Sequence, residues 1–342
     1  MARSGARASP LAAPVESPTH IPVLIDDVLE LLAPRAGGRY CDGTLGRGGH
    51  TRAILERSAP DGRVIAVDRD PEAIAAIAAI TELSTVLGER LVVVHGRFGD
   101  LPAILAGLGG GPLDGILLDL GVSSPQLDVA ERGFSFTRSG PIDMRMDPST
   151  GPTALDLIGD LPQPALAAVL RDLGEERLHH RIARRLKEAA AADELATTLD
   201  LARVVAACFS AGDLRKLHIH PPTRTFQALR LAVNRELDEL TSFLASFPDL
   251  LAPGGRCVVI SFHSLEDRLV KRRFRDLAWS SSLPPRLAAD VGERSAPVCT
   301  PLTRKAVFAD DDETDDNPRA RSARLRACQR TDAPNLPTHA NR

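Results

Sequence analysis

The segment Asp42-Gly43-Thr44-Leu45-Gly46-Arg47-Gly48-Gly49-His50 sets an acid ahead of four glycines and a histidine. Glycines let a backbone turn tightly and let a ligand come close to the main chain. Many turns are glycine-rich, so the loop needs a second feature before it is informative. Asp68, 20 residues beyond Gly48, ends the next apolar run, where a carboxylate can accept both hydroxyls of a ribose. Together they point to a bound nucleoside. A dinucleotide site wants Gly-x-Gly-x-x-Gly around a pyrophosphate, and Thr51 stands where the third glycine belongs. An anionic Asp42 repels a pyrophosphate but suits a cationic sulfonium, which favours methyl transfer over hydride transfer.

Two more loops carry candidate groups. In Gly96-Arg97-Phe98-Gly99-Asp100, Phe98 can pack on an adenine face or simply be an apolar residue beside a helix start. In Asp119-Leu120-Gly121-Val122-Ser123-Ser124-Pro125-Gln126, Asp119 stands at a strand end and Gln126 can reach polar ligand atoms. The structural alternative is an Asp119 that only caps backbone amides. His263 and Ser264 can line a target pocket, whereas Ser264 with Asp267 also reads as a capping box. Methyl transfer to the C5 carbon of a pyrimidine would need a cysteine nucleophile near the bound ligand. Cys41 and Cys257 fall inside or beside predicted strands, and the loop after the fourth strand has none, so C5 chemistry is disfavoured.

These loops need a scaffold that brings strand ends together. Apolar runs without polar alternation predict strands buried on both faces at Arg39 to Asp42, Arg63 to Asp68, Leu91 to His95, Gly115 to Leu120 and Arg256 to Phe262. Helical stretches separate the first four, including Pro71 to Ile80 with proline in the first turn. The fold class is therefore α/β, a doubly wound and mostly parallel sheet. From Phe134 to Arg230 the pattern turns to loops and helices, an inserted all-helical domain. Within it, Arg177 to Leu186 sets Leu178, Ile182 and Leu186 on one face. Phe226, Leu229, Val233, Leu237 and Leu240 mark one long helix leading back to a strand, with Pro253-Gly254-Gly255 as the turn between them. Val298 to Phe308 and Ser322 to Ala327 are two final strand candidates.

The 342 residues suffice for one large domain with an insert, and 43% hydrophobic with 25% charged residues is ordinary for a soluble protein. No apolar run approaches the roughly 18 to 20 residues of a membrane helix. The five cysteines are scattered and form no Cys-x-x-Cys pair, which argues against metal binding and disulfides and for a cytoplasmic location. The net charge of -3 hides basic runs at Arg177 to Lys187, His218 to Arg230, Arg268 to Arg275 and Arg319 to Arg326, against an acidic run at Asp310 to Asp316. These basic runs are either RNA phosphate contacts or solvated helix faces. Residues 1–19 read as a disordered N-terminal tail.

With these residues in view, the sequence resembles the bacterial 16S ribosomal RNA small-subunit methyltransferase H family. The resemblance runs from about His20 to Thr331. It rests on His20 to Leu24, Asp42 to His50, Val67 to Pro71, Gly115 to Asp128, Glu131 to Phe136, Asp143 to Asp147, Thr223 to Ala228, Ser261 to Arg268 and Asn317 to Ser322. The first nineteen residues and the acidic run at Asp310 fall outside the shared pattern. The resemblance implies a class I, Rossmann-like methyltransferase domain in two pieces, 20–133 and 231–331, around a substrate-recognition insert at 134–230, with a C-terminal tail at 332–342. It implies S-adenosylmethionine held by Gly48, Gly49, His50, Asp68, Phe98, Asp119 and Gln126, and no metal. The implied reaction is methylation of N4 of a cytosine in the decoding centre of 16S rRNA, with the small ribosomal subunit as partner.

The exocyclic amine of cytosine is a poor nucleophile, because its lone pair is delocalised into the ring. It needs acceptors on its N–H bonds and close placement against the methyl carbon. Amino methyltransferases usually supply these from a polar-Pro-Pro-aromatic loop; here Ser123-Ser124-Pro125-Gln126 takes its place. Asp119, or failing that Ser123, is the expected proton acceptor. Base stacking is expected mainly from phenylalanines such as Phe134 and Phe136. The competing readings are an amino methyltransferase on DNA or another RNA and a non-catalytic cofactor-binding assembly factor. The oligomeric state stays open, a homodimer included.

Overall fold

The computed structural model describes residues 22–79, 88–215, 219–278 and 296–334. The expected tail at 1–19, most of 332–342, Ile80 and His218 lie outside the described residues.

The strands are β1 (Arg39–Asp42), β2 (Arg63–Asp68), β3 (Leu91–His95), β4 (Leu113–Asp119), β5 (Leu251–Ser261), β6 (Cys299–Pro301) and β7 (Arg324–Arg330). They form one sheet in the order β3-β2-β1-β4-β5-β7-β6, with β1 to β5 parallel and β6 and β7 antiparallel. Successive side chains of β2 show why the sheet needs cover on both sides. Ile65 and Val67 join the cluster packed on one face, and Val64 and Ala66 join the other. The first face carries Leu101, Leu105, Phe243, Phe247 and Phe274 from three helices; the second carries Val28, Leu32, Ile54 and Leu55. The chain winds outward from β1 in both directions, so the β1/β4 boundary is the switch point at which open α/β sheets bind ligands.

The first expected strands are present, with corrections at their edges. β3 is an edge strand with Val92 40% exposed, so it is not buried on both faces. β4 begins at Leu113 rather than Gly115. Pro253-Gly254-Gly255 does not precede β5 but lies inside it: the pairing jumps from Leu113 with Leu251 to Gly115 with Arg256. The extra residues bulge out, Gly254 at φ 82°, and the strand resumes its ladder. Only Cys299–Pro301 of the Val298 to Phe308 candidate is a strand, with Val307 bridged singly to Leu325, and the last strand starts two residues later and runs further than expected.

Among the described residues of 134–230 there is no strand. Helices Ala154–Asp160, Gln163–Gly174, His179–Ala191, Thr198–Ala206 and Thr223–Asn234 surround a separate cluster that includes Ile158, Leu166, Leu170, Ile182, Leu186, Leu201 and Phe226. The helix expected from Arg177 starts at His179. The single long helix expected through Phe226 and Leu240 is two, Thr223–Asn234 and Glu236–Leu250, broken at Arg235 with φ 51°. Asn234 explains the break. Its amide accepts from Met146 N at 2.7 Å and donates to Met144 O at 2.7 Å, pinning the helix end to the loop before it. The freed Asn234 carbonyl accepts from Arg69 and Arg97. No helix among the described residues is long and apolar enough to cross a membrane.

Candidate active site

A cavity of about 490 Å³ lies over the carboxyl ends of β1 to β5, within the size range of small-molecule sites. Its walls come from the loops after those strands and from Thr223, Arg230, Glu236, Glu239 and Leu240 on the two helices around Arg235.

The β1 loop is built by buried carboxylates that accept from their surroundings. Asp42, 1% exposed, accepts from Thr51 Oγ1 at 2.7 Å and from Thr44 N at 3.1 Å. It is not among the residues lining the cavity, so Asp42 shapes the loop rather than facing a ligand cation. Gly48 does not line the cavity either; at φ 75° it caps the helix Gly49–Arg57 in a conformation that disfavours a side chain. Gly49 does line it, and a Cβ there would stand 2.4 Å from Pro22 Cγ. His50 lies 3.0 Å through Nε2 from the Val23 carbonyl, which can only accept, so Nε2 carries the proton. Its Nδ1 faces Asp119 Oδ2 at 3.7 Å.

Asp68 lines the cavity while Oδ2 accepts from Gly46 N at 2.7 Å and Oδ1 from Asp70 N at 2.8 Å. Burial outweighs these amides and pushes its carboxyl up to about 6. Asp119 is also pushed up to about 6, by burial first, with His50 opposing and the Asp42 and Glu266 charges adding to the rise. Its backbone N–H donates to Thr44 Oγ1 at 2.7 Å, and its Oδ1 is buried with no hydrogen-bond partner. Phe98 lines the cavity, opens the short turn Phe98–Asp100 and packs edge-on against Phe243, the ring centres 6.0 Å apart. Gln126 lines it too, but its amide is engaged: Oε1 accepts from Ser123 N at 3.0 Å and Nε2 donates to Asp70 Oδ2 at 2.9 Å. The cavity thus gathers Gly49, His50, Asp68, Phe98, Asp119 and Gln126, and leaves Gly48 behind the loop.

Of the charges on the opposite wall the sequence named only Arg230, as the end of a basic run, and missed its ion pairing. Arg230 and Glu236 form a forked ion pair, Nε to Oε1 at 2.8 Å and Nη2 to Oε2 at 2.9 Å. Burial, followed by the nearby Glu266 charge, raises the Glu236 carboxyl against the pull of Arg230. Glu239, its side chain 2% exposed, accepts from Arg69 at 3.0 Å and Arg97 at 3.1 Å. Arg132, buried, bridges Asp70 at 2.9 Å and Glu72 at 2.8 Å. These partners lie up to 170 positions apart. The one local signal was a density of acids just after Asn234, which reads equally as an ordinary helix start.

Several expected roles change. The capping box after β5 is His263 with Glu266, not Ser264 with Asp267. Ser264 instead donates to Glu175, and Asp267 accepts from Arg326. Phe134 is buried under Arg132, and Phe136 packs on Phe226 and His220, so neither ring lines the cavity. Many cations of the basic runs are tied internally: Lys187 to Ile158 and Gly159 carbonyls, Arg181 to Cys208 O, Arg273 to Leu244 O and Arg268 to Glu175. All five cysteines are buried, burial pushes the Cys41 and Cys257 thiols up, and none lines the cavity. No group of His, Cys, Asp and Glu among the described residues is placed to hold a metal ion.

The sheet order, with a cavity over the β1/β4 switch point, is that of a class I, Rossmann-like methyltransferase. The chain belongs to the MraW methylase family, whose profile matches residues 17–331. It is 51% identical to the Ribosomal RNA small subunit methyltransferase H of Methylococcus capsulatus, over 90% of this chain and 99% of that one. It is 50% identical to the protein of the same name from Syntrophobacter fumaroxidans, over 92% of this chain and 97% of that one.

Proposed function

We propose that this methylase transfers the methyl group of S-adenosylmethionine to N4 of a cytosine in the decoding centre of 16S rRNA, in the small ribosomal subunit of a bacterial cytoplasm. The observation that carries it is Asp119: a strand-end carboxylate, its side chain 26% exposed, on the wall of a cavity beside a glycine loop. A carboxylate confined to capping would have its oxygens on backbone amides, and Asp119 has none there. The names of the relatives supply the rRNA and the small subunit.

The residues present fit the cofactor. Gly49 keeps the loop bare, and Asp68 stands at the end of β2 as a ribose acceptor. Phe98 offers a ring for the adenine. His50 and Gln126 close the site with the loop after β4. Bound there, S-adenosylmethionine supplies an electrophilic methyl group. Asp119 accepts a hydrogen bond from the cytosine amine at Oδ2, the oxygen not sealed from the cavity, which returns lone-pair density to the nitrogen, and takes the proton as the new bond forms. Its pKa of about 6 leaves it ionised at neutral pH yet basic enough to hold a proton. Residues 134–230 serve as the RNA-recognition insert, with the helix Thr223–Asn234 packed on the insert's own core through Phe226, Ala228 and Leu229.

The test is transfer of labelled methyl from S-adenosylmethionine to small subunits taken from a strain lacking this protein, followed by mass spectrometry of the 16S rRNA. Label at N4 of one decoding-centre cytosine is expected, with particles compared against naked RNA. Label on another base, or on DNA only, removes the ribosomal reading. A protein that binds the cofactor and transfers nothing is an assembly factor instead.

A further inference from the structure

The cavity has two halves. Loops after β1, β2 and β3 supply Gly49, Asp68 and Phe98 to one of them. The other lies over the ends of β4 and β5, where Asp119 and Phe262 are joined by Arg230, Glu236 and Glu266. A largely buried ion pair is a poor source of stability compared with apolar packing, so one placed on a cavity wall calls for a use. The Arg230 fork leaves a specific group over. Nε and Nη2 are both spent on Glu236, and the two side chains are 15% and 10% exposed. Nη1 has no acceptor among the described residues, and it is not sealed from solvent as Asp119 Oδ1 is. Arg230 lines the same cavity as Asp119, with Glu266 as a charged neighbour of both.

We propose that Arg230 reads the target base, donating from Nη1 to the ring acceptors N3 and O2 of the cytosine, with Glu236 as the positioning residue that holds the guanidinium plane. The inference rests on the cytosine reading above. An enzyme that acts on an extruded base reads its Watson–Crick edge. Cytosine offers there one donor, the N4 amine, next to two acceptors. Asp119 accepts from the donor and Arg230 donates to the acceptors, so the pair matches that edge in polarity. Uracil turns an N3–H toward the guanidinium and a carbonyl toward the carboxylate, so both contacts become repulsive. Glu236 fixes the fork at both of its other nitrogens, which a lysine at 230 could not reproduce.

Two variants separate base reading from fold and cofactor roles. Arg230→Lys keeps the cation and its pairing with Glu236 but loses the fork. The double variant Arg230→Met with Glu236→Gln removes both charges, so no buried ion is stranded. Each is assayed for single-turnover methyl transfer to the deficient small subunits, for cofactor affinity by calorimetry and for thermal unfolding. The expected result is a fall in the transfer rate on the order of a hundredfold for either variant. Cofactor Kd should stay within about twofold and KM for the subunit nearly unchanged, because phosphate contacts elsewhere dominate docking. A folded double variant that transfers at the wild-type rate overturns the proposal. So does an equal loss of cofactor binding, which would assign Arg230 to the cofactor instead. If the double variant does not fold, Arg230→Lys decides alone, and full turnover by it overturns the proposal. Should wild-type protein transfer nothing to the subunits, the cytosine reading fails first and independently of Arg230.

Discussion

The two walls of the cavity are held in different ways. On the sheet side, carboxylates accept from groups close in sequence: Asp42 from Thr44 and Thr51, and Asp68 from Asp70 N and, 22 positions back, Gly46 N. On the helical side, Arg230 and Glu236 are six positions apart but on two different helices, and Glu239 pairs across the chain with Arg69 and Arg97 at separations of 170 and 142 positions. Local hydrogen bonds shape a loop before the rest of the protein is in place. Long-range ion pairs exist only once both partners have been delivered. The first kind of wall can be rigid in isolation, and the second reports on whether the helical insert is seated.

The sharpest division between the walls should appear with Asp119→Asn, which keeps the shape and removes the base. Transfer should fall by roughly 10²- to 10⁴-fold with cofactor affinity nearly unchanged, as single-turnover rates and calorimetry can show. The same carboxyl predicts a pH limb. Acting as an acceptor, Asp119 must be ionised, so transfer should rise through a pKa near 6 and then level off, and the limb should be absent in the Asn variant. The stability effect has the opposite sign. Asp68 and Asp119 have folded values near 6 against an ordinary 3.8, so the native state binds more protons between those values. Their contribution is complete below about 3.8 and is lost as pH rises through 6, which urea unfolding of the cofactor-free protein at pH 5 and pH 7 can measure once other groups are matched with an Asp68→Asn/Asp119→Asn control.

Next in size is Arg132→Ala. It strands buried Asp70, which also anchors Gln126, and should cost about 3 to 5 kcal/mol in chemical denaturation. Thr51→Val takes one donor from Asp42 on the local wall and should cost about 1 to 3 kcal/mol, with a loss of cofactor affinity as the loop loosens. If Thr51→Val proves costlier than Arg132→Ala, the contrast between local and long-range walls is inverted. The smallest effect belongs to Arg235→Gly. Its ion pair with Asp238 is exposed, worth about 0 to 1 kcal/mol, and its φ of 51° suits glycine, so the two changes should nearly cancel in thermal unfolding.

The site residues legible in the sequence were those attached to a periodic pattern. Asp68 and Asp119 were readable because each ends an apolar strand, and Asp42 to His50 because glycines interrupt one. What was misread followed from geometry that spacing does not encode. Asp42 turned away from the cavity to accept from Thr51, nine positions on in the following helix. Pro253-Gly254-Gly255 resembled a turn but was absorbed as a bulge, because β4 offered a continuing ladder. The long helix was broken by the Asn234 side chain, whose partners Met144 and Met146 stand some ninety positions earlier. Phe134 and Phe136 looked available for stacking until packing consumed them.

The amino-acid sequence by itself determined the mostly parallel sheet, the helical segment after it and the glycine loop that lines the cavity. Each depends on periodicity, turn chemistry and strand-end placement, which act over a few residues. Only the tertiary structure decided which charges face the cavity. Arg230, Glu236 and Glu239 acquire their roles from partners on other elements, and a buried charge is tolerated only where folding has already placed its counter-charge.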